Sequence, residues 1–459
     1  MFYLWYNKEY KRAINSTFGR DFKLIRRKDK RKLEGNKNYF FEFLRIKEHF
    51  FKNMNSWLKK VSDHRHESYK KYDPEIILFM IILKNAFNFK SMRSMTDILN
   101  HDYVIENLKR ALTINELEEL PHYDTINLFL VELPPTELEK IRTHMIKELL
   151  KKRCFESFRI KGKYWGVIFD GTGLFKFDEK HCEHCLRRKH TNEETGEVKI
   201  IYMHHVLEAK LVVGDMVLSI GSEFIENESE NVTKQDCELK AFYRLAEKIK
   251  QTYPKLPICI LGDSIYAAEP VFKYCDDYKW MYLFRFKEGR IKSIANEYIK
   301  IKTIEGKTEE DEIVWVNEIL YNERKVNVFE GIVEDKKGEK RRYLFITNIR
   351  VTERNAETML AIGRSRWKIE NQGFNNQKNI RYHIEHANSH DYNAMKNHYL
   401  LTQIADILVQ LFENGLSIFR TMKKTAKEIS SKLLEAIRTR RLTDEDIQQL
   451  AKPTQVRFA

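Results

Sequence analysis

The chain has 459 residues, and its 81 Lys and Arg against 67 Asp and Glu give a formal net charge of +14. This length exceeds what one hydrophobic core ordinarily supports, so we expect two or three domains. An aromatic content of 12% with only 8 prolines excludes a largely disordered chain. The excess of positive charge favours a polyanionic partner such as nucleic acid, although several other classes of protein are also basic.

Nothing in the sequence predicts a membrane partner. Residues 1–10 are aromatic and polar, and they lack the long apolar run and small-residue cleavage site of a secretory signal. The longest aliphatic stretch, residues 76–83, is too short to cross a bilayer. We therefore expect a cytoplasmic protein.

Two regions precede the first predicted strand. Residues 1–35 are rich in Lys and Arg, and they predict either a basic arm that contacts DNA or a solvated tail. Residues 36–155 are predicted to be helical. Within them, Asp73-Pro74-Glu75 combines a capping side chain, a first-turn proline and an acid near the positive helix end. Short helices of this kind fit a helix-turn-helix DNA reader and a plain helical bundle equally well.

The pattern changes after Tyr164, where short apolar runs alternate with helical segments. Residues 165–169 lead directly into Asp170, and residues 258–261 lead into Gly262 and Asp263. Each run predicts a buried strand that carries a carboxylate at its tip. The sequence therefore predicts an α/β core with two strand-end aspartates.

The segment between these runs predicts a hairpin followed by a helix. Residues 200–213 and 216–225 have the composition of strands, and Gly214-Asp215 between them is typical of a hairpin turn. Residues 233–252 predict an amphipathic helix, with Thr233 as its capping residue.

Two aspartates on strands and one glutamate on a helix suit metal-dependent phosphoryl transfer. Mg²⁺ prefers carboxylate oxygens, and two such ions about 3.5–4 Å apart can activate the attacking oxygen and stabilise the leaving one. Glu370 in the later helical segment is the candidate third acid. Taken singly, the aspartates are more readily explained as turn or cap residues, and Glu370 as an ion-pair partner of Arg366.

Three stretches carry these acids: Phe169-Asp170-Gly171-Thr172-Gly173, Gly262-Asp263-Ser264-Ile265-Tyr266-Ala267 and Arg364-Ser365-Arg366-Trp367-Lys368-Ile369-Glu370. Together they resemble the acidic motifs of bacterial insertion-sequence DDE transposases. The resemblance covers roughly residues 155–400, and it is to the branch with a β insertion before the glutamate and a Tyr-Arg-Glu-Lys type third motif.

The resemblance implies an α/β, ribonuclease-H-like catalytic core with an inserted antiparallel β subdomain, preceded and followed by helical regions. The domains are expected in this order: a basic arm at 1–35, a helical DNA-binding domain at 36–155, the core at 156–290, the insertion at 291–345, the rest of the core with the glutamate helix at 346–400, and a C-terminal helical region at 401–459.

The resemblance also implies an activity. Asp170, Asp263 and Glu370 would hold two Mg²⁺ or Mn²⁺ ions and catalyse cleavage of double-stranded DNA at terminal inverted repeats, followed by strand transfer into target DNA. The enzyme would act as a homodimer associated with the nucleoid of a prokaryotic cell. The alternatives are a catalytically silent DNA-binding protein derived from a transposase and a host nuclease of the same fold.

The third motif departs from the family pattern. Arg366 lies four residues before Glu370 as expected, but the tyrosine position is Gly363 and the lysine position is Gln377. Lys378 follows, rotated by about 80° from Glu370 on a helix that turns roughly 100° per residue. We expect Arg366 and Lys378 to contact DNA.

Trp367 and a cysteine pair are further candidates. Trp367 fits stacking on a flipped base, although we favour core packing beneath the glutamate helix. Cys182 and Cys185 are candidate ligands of one structural Zn²⁺, completed by His190 or by one of His204 and His205. An inert pair of reduced thiols is the alternative.

Overall fold

The computed structural model describes residues 37–227, 232, 234–305, 312–334, 338–416, 424–452, 454, 456 and 458. Within it, Tyr39–Ala459 forms one compact unit. The basic arm predicted at residues 1–35 lies outside the described residues.

The first part of this unit is helical. A proline at the first turn sets the start of the most buried helix, which begins at Pro74 with Asp73 before it, although the Asp73 side chain makes no capping hydrogen bond. The helices of this part are α1 (Tyr39–Phe50), α2 (Met54–Lys59), α3 (Pro74–Ala86), α4 (Met92–Leu99), α5 (Asp102–Leu112), α6 (Tyr123–Glu132) and α7 (Pro135–Lys151).

The strands of the described residues form a nine-stranded mixed sheet in the order β2-β3-β1-β5-β6-β9-β8-β7, with β4 also paired to β3. Only β1 with β5 and β5 with β6 pair in parallel. The strands are β1 (Trp165–Phe177), β2 (Leu186–Thr191), β3 (Val198–Val213), β4 (Met216–Ile225), β5 (Ile258–Gly262), β6 (Met281–Arg285), β7 (Ile313–Tyr321), β8 (Arg324–Glu334) and β9 (Lys340–Thr347).

The hairpin predicted between β3 and β4 is present, with Gly214 in the left-handed region at φ 61°. The helix predicted to start at Thr233 begins later, as α8 (Glu238–Thr252); Thr233 itself lies outside the described residues. The segment before α8 is tied to β2, because the Gln235 side chain exchanges two hydrogen bonds with the backbone of Arg187.

The region predicted as a purely β insertion starts with a helix. After α9 (Glu269–Tyr278) and β6, the chain forms α10 (Lys292–Ile304) before β7 begins. Buried Ile294, Ala295 and Tyr298 recur at helical spacing, and the β interpretation overlooked that spacing. Strands β7 to β9 then continue the core sheet, because β9 pairs with β6.

The glutamate helix predicted within residues 346–400 is not continuous. It consists of α11 (Ala356–Arg364) and two π-helical segments, Ile369–Phe374 and Asn376–Ile380. The helices after them are α12 (Tyr392–Gly415), α13 (Ala426–Thr439) and α14 (Asp444–Leu450). Helix α12 is buried along most of its length and packs against α1, α3, α6, α7 and β4, so it lies at the centre of the unit. None of the helices in the described ranges combines the length and apolar character needed to cross a bilayer.

A buried polar network surrounds Asp406 on α12. Its carboxylate accepts hydrogen bonds from Gln377 Nε2 at 2.8 Å and from the Tyr382 hydroxyl at 3.0 Å. The Lys210 ammonium, fully buried on β3, lies 3.9 Å from Asp406 and donates to Gln403 at 3.1 Å. Burial lowers the pKa of Lys210, and Asp406 opposes that effect. The network therefore joins the sheet, α12 and the π-helical segments.

A second group of buried polar side chains lies beside it. Glu208 of β3 accepts hydrogen bonds from the hydroxyls of Ser219, at 2.6 Å, and Ser222. Arg142 of α7 donates to the same two hydroxyls. Since buried charges are tolerated only when they are paired or hydrogen-bonded, these contacts fix α7 against β4.

We predict that Asp406→Ala lowers the free energy of unfolding by about 3–5 kcal/mol, because it leaves the buried Lys210 ammonium without its counter-charge. The urea midpoint measures this. Lys210→Met combined with Asp406→Leu should recover part of the loss. As a control, Glu435→Ala removes an ion pair whose side chains are 47% and 59% exposed, and it should cost less than about 1 kcal/mol. Equal midpoints for Asp406→Ala and the control would contradict the role of the network.

Candidate active site

Asp170 lies within β1 and not at its tip, so the prediction that the strand ends there is wrong. Pairing with β3 continues from Asp170, opposite Glu208, to Phe177, opposite Tyr202. Pairing with β5, in contrast, ends at Ile168. Asp170 therefore lies two residues beyond the end of the parallel pairing, where its side chain is no longer flanked by a strand on that side.

Asp263 follows the last residue of β5. Ile168 pairs with Leu261, so Asp170 and Asp263 occupy the same register position, two residues beyond this pair. Because carboxyl ends of parallel strands meet at one edge of a sheet, this register brings the two aspartates together. Asp263 Oδ1 also accepts a hydrogen bond from the Ile265 N–H at 2.8 Å, which fixes the turn after the strand.

Glu370 lies in the first π-helical segment, one turn after Arg366. The Arg366 guanidinium lies 3.4 Å from Glu370 Oε1 and 3.5 Å from Asp170 Oδ2. Asp170 and Arg366 side chains are 16% and 14% exposed, whereas Glu370 is 46% exposed. Arg366 therefore spans the gap between the two carboxylates and orients both.

Glu238, the first residue of α8, is a fourth carboxylate that the sequence did not reveal. It accepts a hydrogen bond from the Tyr266 hydroxyl at 2.6 Å. A Cβ at Gly171 would lie 2.7 Å from Glu238 Oε2, so a larger residue beside Asp170 would force the end of the Glu238 side chain to shift.

The carboxylates influence one another electrostatically. The pKa of Asp170 is raised to about 7, chiefly by burial, and Arg366 opposes that rise. Three neighbouring negative charges add to it: Glu238, Glu370 and Asp263. Burial also raises the pKa of Glu238. One arginine thus faces four carboxyl groups, and the site has an excess of negative charge.

This donor set fits hard divalent cations. All four side chains offer carboxylate oxygens, the ligands that Mg²⁺ and Mn²⁺ prefer. Asp170, Asp263 and Glu370 oxygens do not all lie within 4.8 Å of one another. The spacing agrees with the position of Arg366 between Asp170 and Glu370. The metal site is therefore supported by the chemistry of the ligands, since their oxygens do not already surround a single ion position.

A cleft of roughly 270 Å³ opens beside Arg366. Trp367 lies on its wall with 48% of its surface exposed, so the core-packing interpretation of this residue is wrong. The cleft is lined by arginine and aromatic side chains together with one glycine: Arg285, Arg341, Arg342, Tyr343, Phe345, Gly363, Arg364, Arg366 and Trp367. Such a lining suits phosphate oxygens and the face of a base.

Gly363 explains the missing tyrosine of the third motif. A Cβ at this position would lie 2.6 Å from the Phe345 ring, so no side chain fits. Tyr343 supplies an aromatic ring on the same cleft from β9. Its ring centroid lies 4.7 Å from the Arg285 guanidinium and 5.3 Å from that of Arg364.

Lys378 is not part of this cleft. It forms an ion pair with Glu385 at 2.9 Å, and its charge contributes, after burial, to the lowered pKa of His205. The neighbouring Gln377 is fully buried in the network around Asp406. The structure therefore separates Lys378 from Arg366 and Trp367.

The cysteine pair converges with one of the histidines considered. Within the part of the chain that the structure describes, Cys182, Cys185 and His204 are the one group of at least three His, Cys, Asp or Glu side chains whose ligand atoms lie within 4.8 Å of one another. Burial lowers the pKa of His204 to about 4 and raises that of Cys182 to about 12. His190 is exposed on β2, and His205 belongs to a different environment beside Lys378.

The comparison with known proteins agrees with this geometry over part of the chain. Residues 231–408 match the family model described as "Transposase DDE domain". The matched segment includes Asp263, Glu370 and Glu238, and it begins after Asp170. No curated protein matches the chain. A DDE domain implies a ribonuclease-H-like core, and the similarity of residues 231–408 to that domain supports a DDE transposase.

Proposed function

We propose that the protein is a DNA transposase that cleaves the ends of a mobile element and transfers them into target DNA. Asp170, Asp263 and Glu370 are its catalytic carboxylates. The observation that carries this proposal is the common register position of Asp170 and Asp263 on neighbouring parallel strands, with Glu370 joined to Asp170 through Arg366.

The three carboxylates would hold two Mg²⁺ or Mn²⁺ ions, which supply activation of the attacking oxygen and stabilisation of the leaving oxygen. Glu238 lies against Gly171, the residue after Asp170, and adds a negative charge to the site. Arg366 limits the repulsion between Asp170 and Glu370, so that both remain directed toward the same space. These contacts preorganise the acids before DNA binds.

The cleft beside Arg366 is the proposed place for the DNA strand at the reaction site. Arginine side chains would bind its phosphates, and Trp367 with Tyr343 would stack on an unpaired base. Its volume of roughly 270 Å³ is suited to a single base with its sugar. Lys378 would contact the DNA from a separate position, after release from Glu385.

Chain order supports the finer family assignment that we propose. Helix α10 and strands β7 to β9 lie between Asp263 and Glu370, where the insertion-bearing branch of these transposases has its β subdomain. We also propose a homodimer that bridges two inverted repeats in the nucleoid of a prokaryotic cell. Recognition of the repeats is assigned to residues 36–155, with the arm at 1–35 adding unspecific affinity. Helices of this region pack on α12, so its deletion would disturb the core. Point variants therefore test the assignment of DNA recognition better than deletion does.

We predict that Asp170→Asn, Asp263→Asn and Glu370→Gln each reduce Mn²⁺-dependent cleavage of plasmid DNA by at least about 10³-fold, because each removes a ligand charge. DNA affinity in a filter-binding assay should change less than about threefold. Asp215→Asn, whose side chain is 82% exposed, is the matched control and should cleave normally.

Cleavage that survives all three substitutions would remove the active-site assignment. Wild-type protein that binds DNA but never cleaves it would favour the silent DNA-binding alternative. Cleavage without any joining of 3′ ends to a second DNA molecule would favour a host nuclease.

We predict that Asp170→Asn stabilises the metal-free protein, and more at pH 8 than at pH 5. Folding raises the pKa of the Asp170 carboxyl from 3.8 to about 7. The protonated carboxyl therefore favours the folded state, and this stabilisation is lost as pH rises through about 7. At about 1.4 kcal/mol per pKa unit, the margin at pH 8 should approach roughly 4 kcal/mol as an upper bound.

Thermal unfolding in EDTA measures this margin, and added Mn²⁺ should then raise the midpoint of the wild type far more than that of the variant. Equal responses to Mn²⁺ would place the metal elsewhere.

We predict that Trp367→Ala weakens binding of DNA with an unpaired base by about 5- to 150-fold, because stacking contributes about 1–3 kcal/mol per base. Trp367→Phe should retain most of the affinity. Fluorescence anisotropy with fully paired DNA of the same sequence is the control, and its affinity should change little. An equal loss for both DNAs would show that Trp367 acts through folding or through unspecific contacts.

A further inference from the structure

A small cluster of metal-ligand side chains lies beyond the carboxylates, at the base of the β2–β3 hairpin. Cys182 and Cys185 flank a tight turn closed by the Cys185 N–H bonding to the Cys182 carbonyl at 3.4 Å. His204 approaches them from β3. From Leu186 to Thr191, and back from Val198 to Met203, the two strands pair without interruption. The cluster therefore closes the open end of this hairpin.

The distances within the cluster are those of a tetrahedral metal site. The two sulfurs are 3.6 Å apart, and His204 Nε2 lies 3.4 Å from each of them. A tetrahedral Zn²⁺ with Zn–S near 2.3 Å and Zn–N near 2.05 Å requires separations of about 3.8 Å and about 3.6 Å. The sulfurs are too far apart for a disulfide, whose S–S bond is about 2.05 Å.

We propose that Cys182, Cys185 and His204 bind one Zn²⁺ through two thiolates and the His204 Nε2. Two thiolates with one imidazole select a soft or borderline ion over Mg²⁺ or Ca²⁺. Binding releases two thiol protons, so the site carries no net charge once the ion is in place. Its role is structural and separate from the carboxylate site.

The described residues supply three ligands to the ion. Among the described residues no further His, Cys, Asp or Glu atom joins the three ligands within 4.8 Å. His181, which comes just before Cys182, is engaged elsewhere, because its Nε2 contacts the His390 carbonyl at 2.9 Å and its ring stacks on Phe177. Such a three-ligand set leaves one exchangeable position.

The ion would fix the turn between the cysteines and also the start of α12. The His204 ring stacks on Tyr392, the first residue of α12, with centroids 4.5 Å apart, and His184 stacks on the same tyrosine at 5.1 Å. The Tyr392 hydroxyl donates to Glu226 at 2.6 Å. Holding His204 in one rotamer therefore also positions the start of the central helix.

One ligand of the cluster, His204, lies on the same strand as the pairing partner of Asp170. Glu208 pairs with Asp170, and His204 lies four residues earlier on β3. At about 3.3 Å per residue this is roughly 13 Å. The zinc site would thus brace the part of β3 that supports β1, without touching the carboxylates.

Metal analysis of the full-length protein tests the proposal. We expect about one zinc per chain in the wild type, and less than about a tenth of that in Cys182→Ser, Cys185→Ser and His204→Ala. Matched controls are Cys237→Ser, an exposed free cysteine, and His205→Ala, the neighbouring histidine; both should retain zinc. Replacement by Co²⁺ should give sulfur-to-cobalt charge-transfer absorption that the cysteine variants lack.

A second measurement does not depend on the folding of variants. Chelation of the wild type should speed amide hydrogen exchange in residues 181–205 and at the start of α12, and it should make both thiols reactive to alkylation. Zinc-free protein with freely alkylated thiols, or recovery of a Cys182–Cys185 disulfide from native protein, would overturn the proposal. Loss of zinc in His205→Ala with retention in His204→Ala would also overturn the ligand assignment.

Discussion

The burial of Asp406 and Lys210 in the centre of the protein constrains everything around them. Neither charge is tolerated there without its partners, so α12, β3 and the π-helical segments must meet in one arrangement. Gln377 is seven residues beyond Glu370 and is held by Asp406 and Gln403. The position of the glutamate is therefore set by polar packing that lies behind it, and the active-site geometry depends on the core.

Gln377, which departs from the motif of the resemblance, is buried in this core. The resemblance places a lysine at Gln377, whose amide instead satisfies two buried partners. An ammonium at the same place would add a second positive charge near Lys210. Gln377 is thus suited to the interior of this protein, and the space beside Gly363 is likewise filled by the Phe345 ring.

Local sequence patterns were sufficient where the chain signals its own structure. The apolar runs before Asp170 and Asp263, the Gly214 turn and the proline at the start of α3 each predicted an element that is present. Local sequence patterns failed where a residue distant in the chain determines the local structure. The extension of β1 beyond Asp170 depends on β3, and the π-helical geometry near Glu370 breaks a helix that periodicity predicts as regular. Glu238 was missed because its carboxylate lies against Gly171, 67 positions earlier in the chain, and this contact exists only in the folded protein.

The central place of α12 has a consequence for synthesis of the chain. Helix α3 is buried along its whole length and packs on α12, yet the two are separated by about 300 residues. At roughly 5–20 residues per second, α3 leaves the ribosome about 15–60 s before its partner exists. During that interval its aliphatic surface needs either transient shelter within the other early helices or a chaperone. Until α12 is made, the segment bearing Glu370 also lacks its support, so the carboxylate site forms only after α12 has been synthesised.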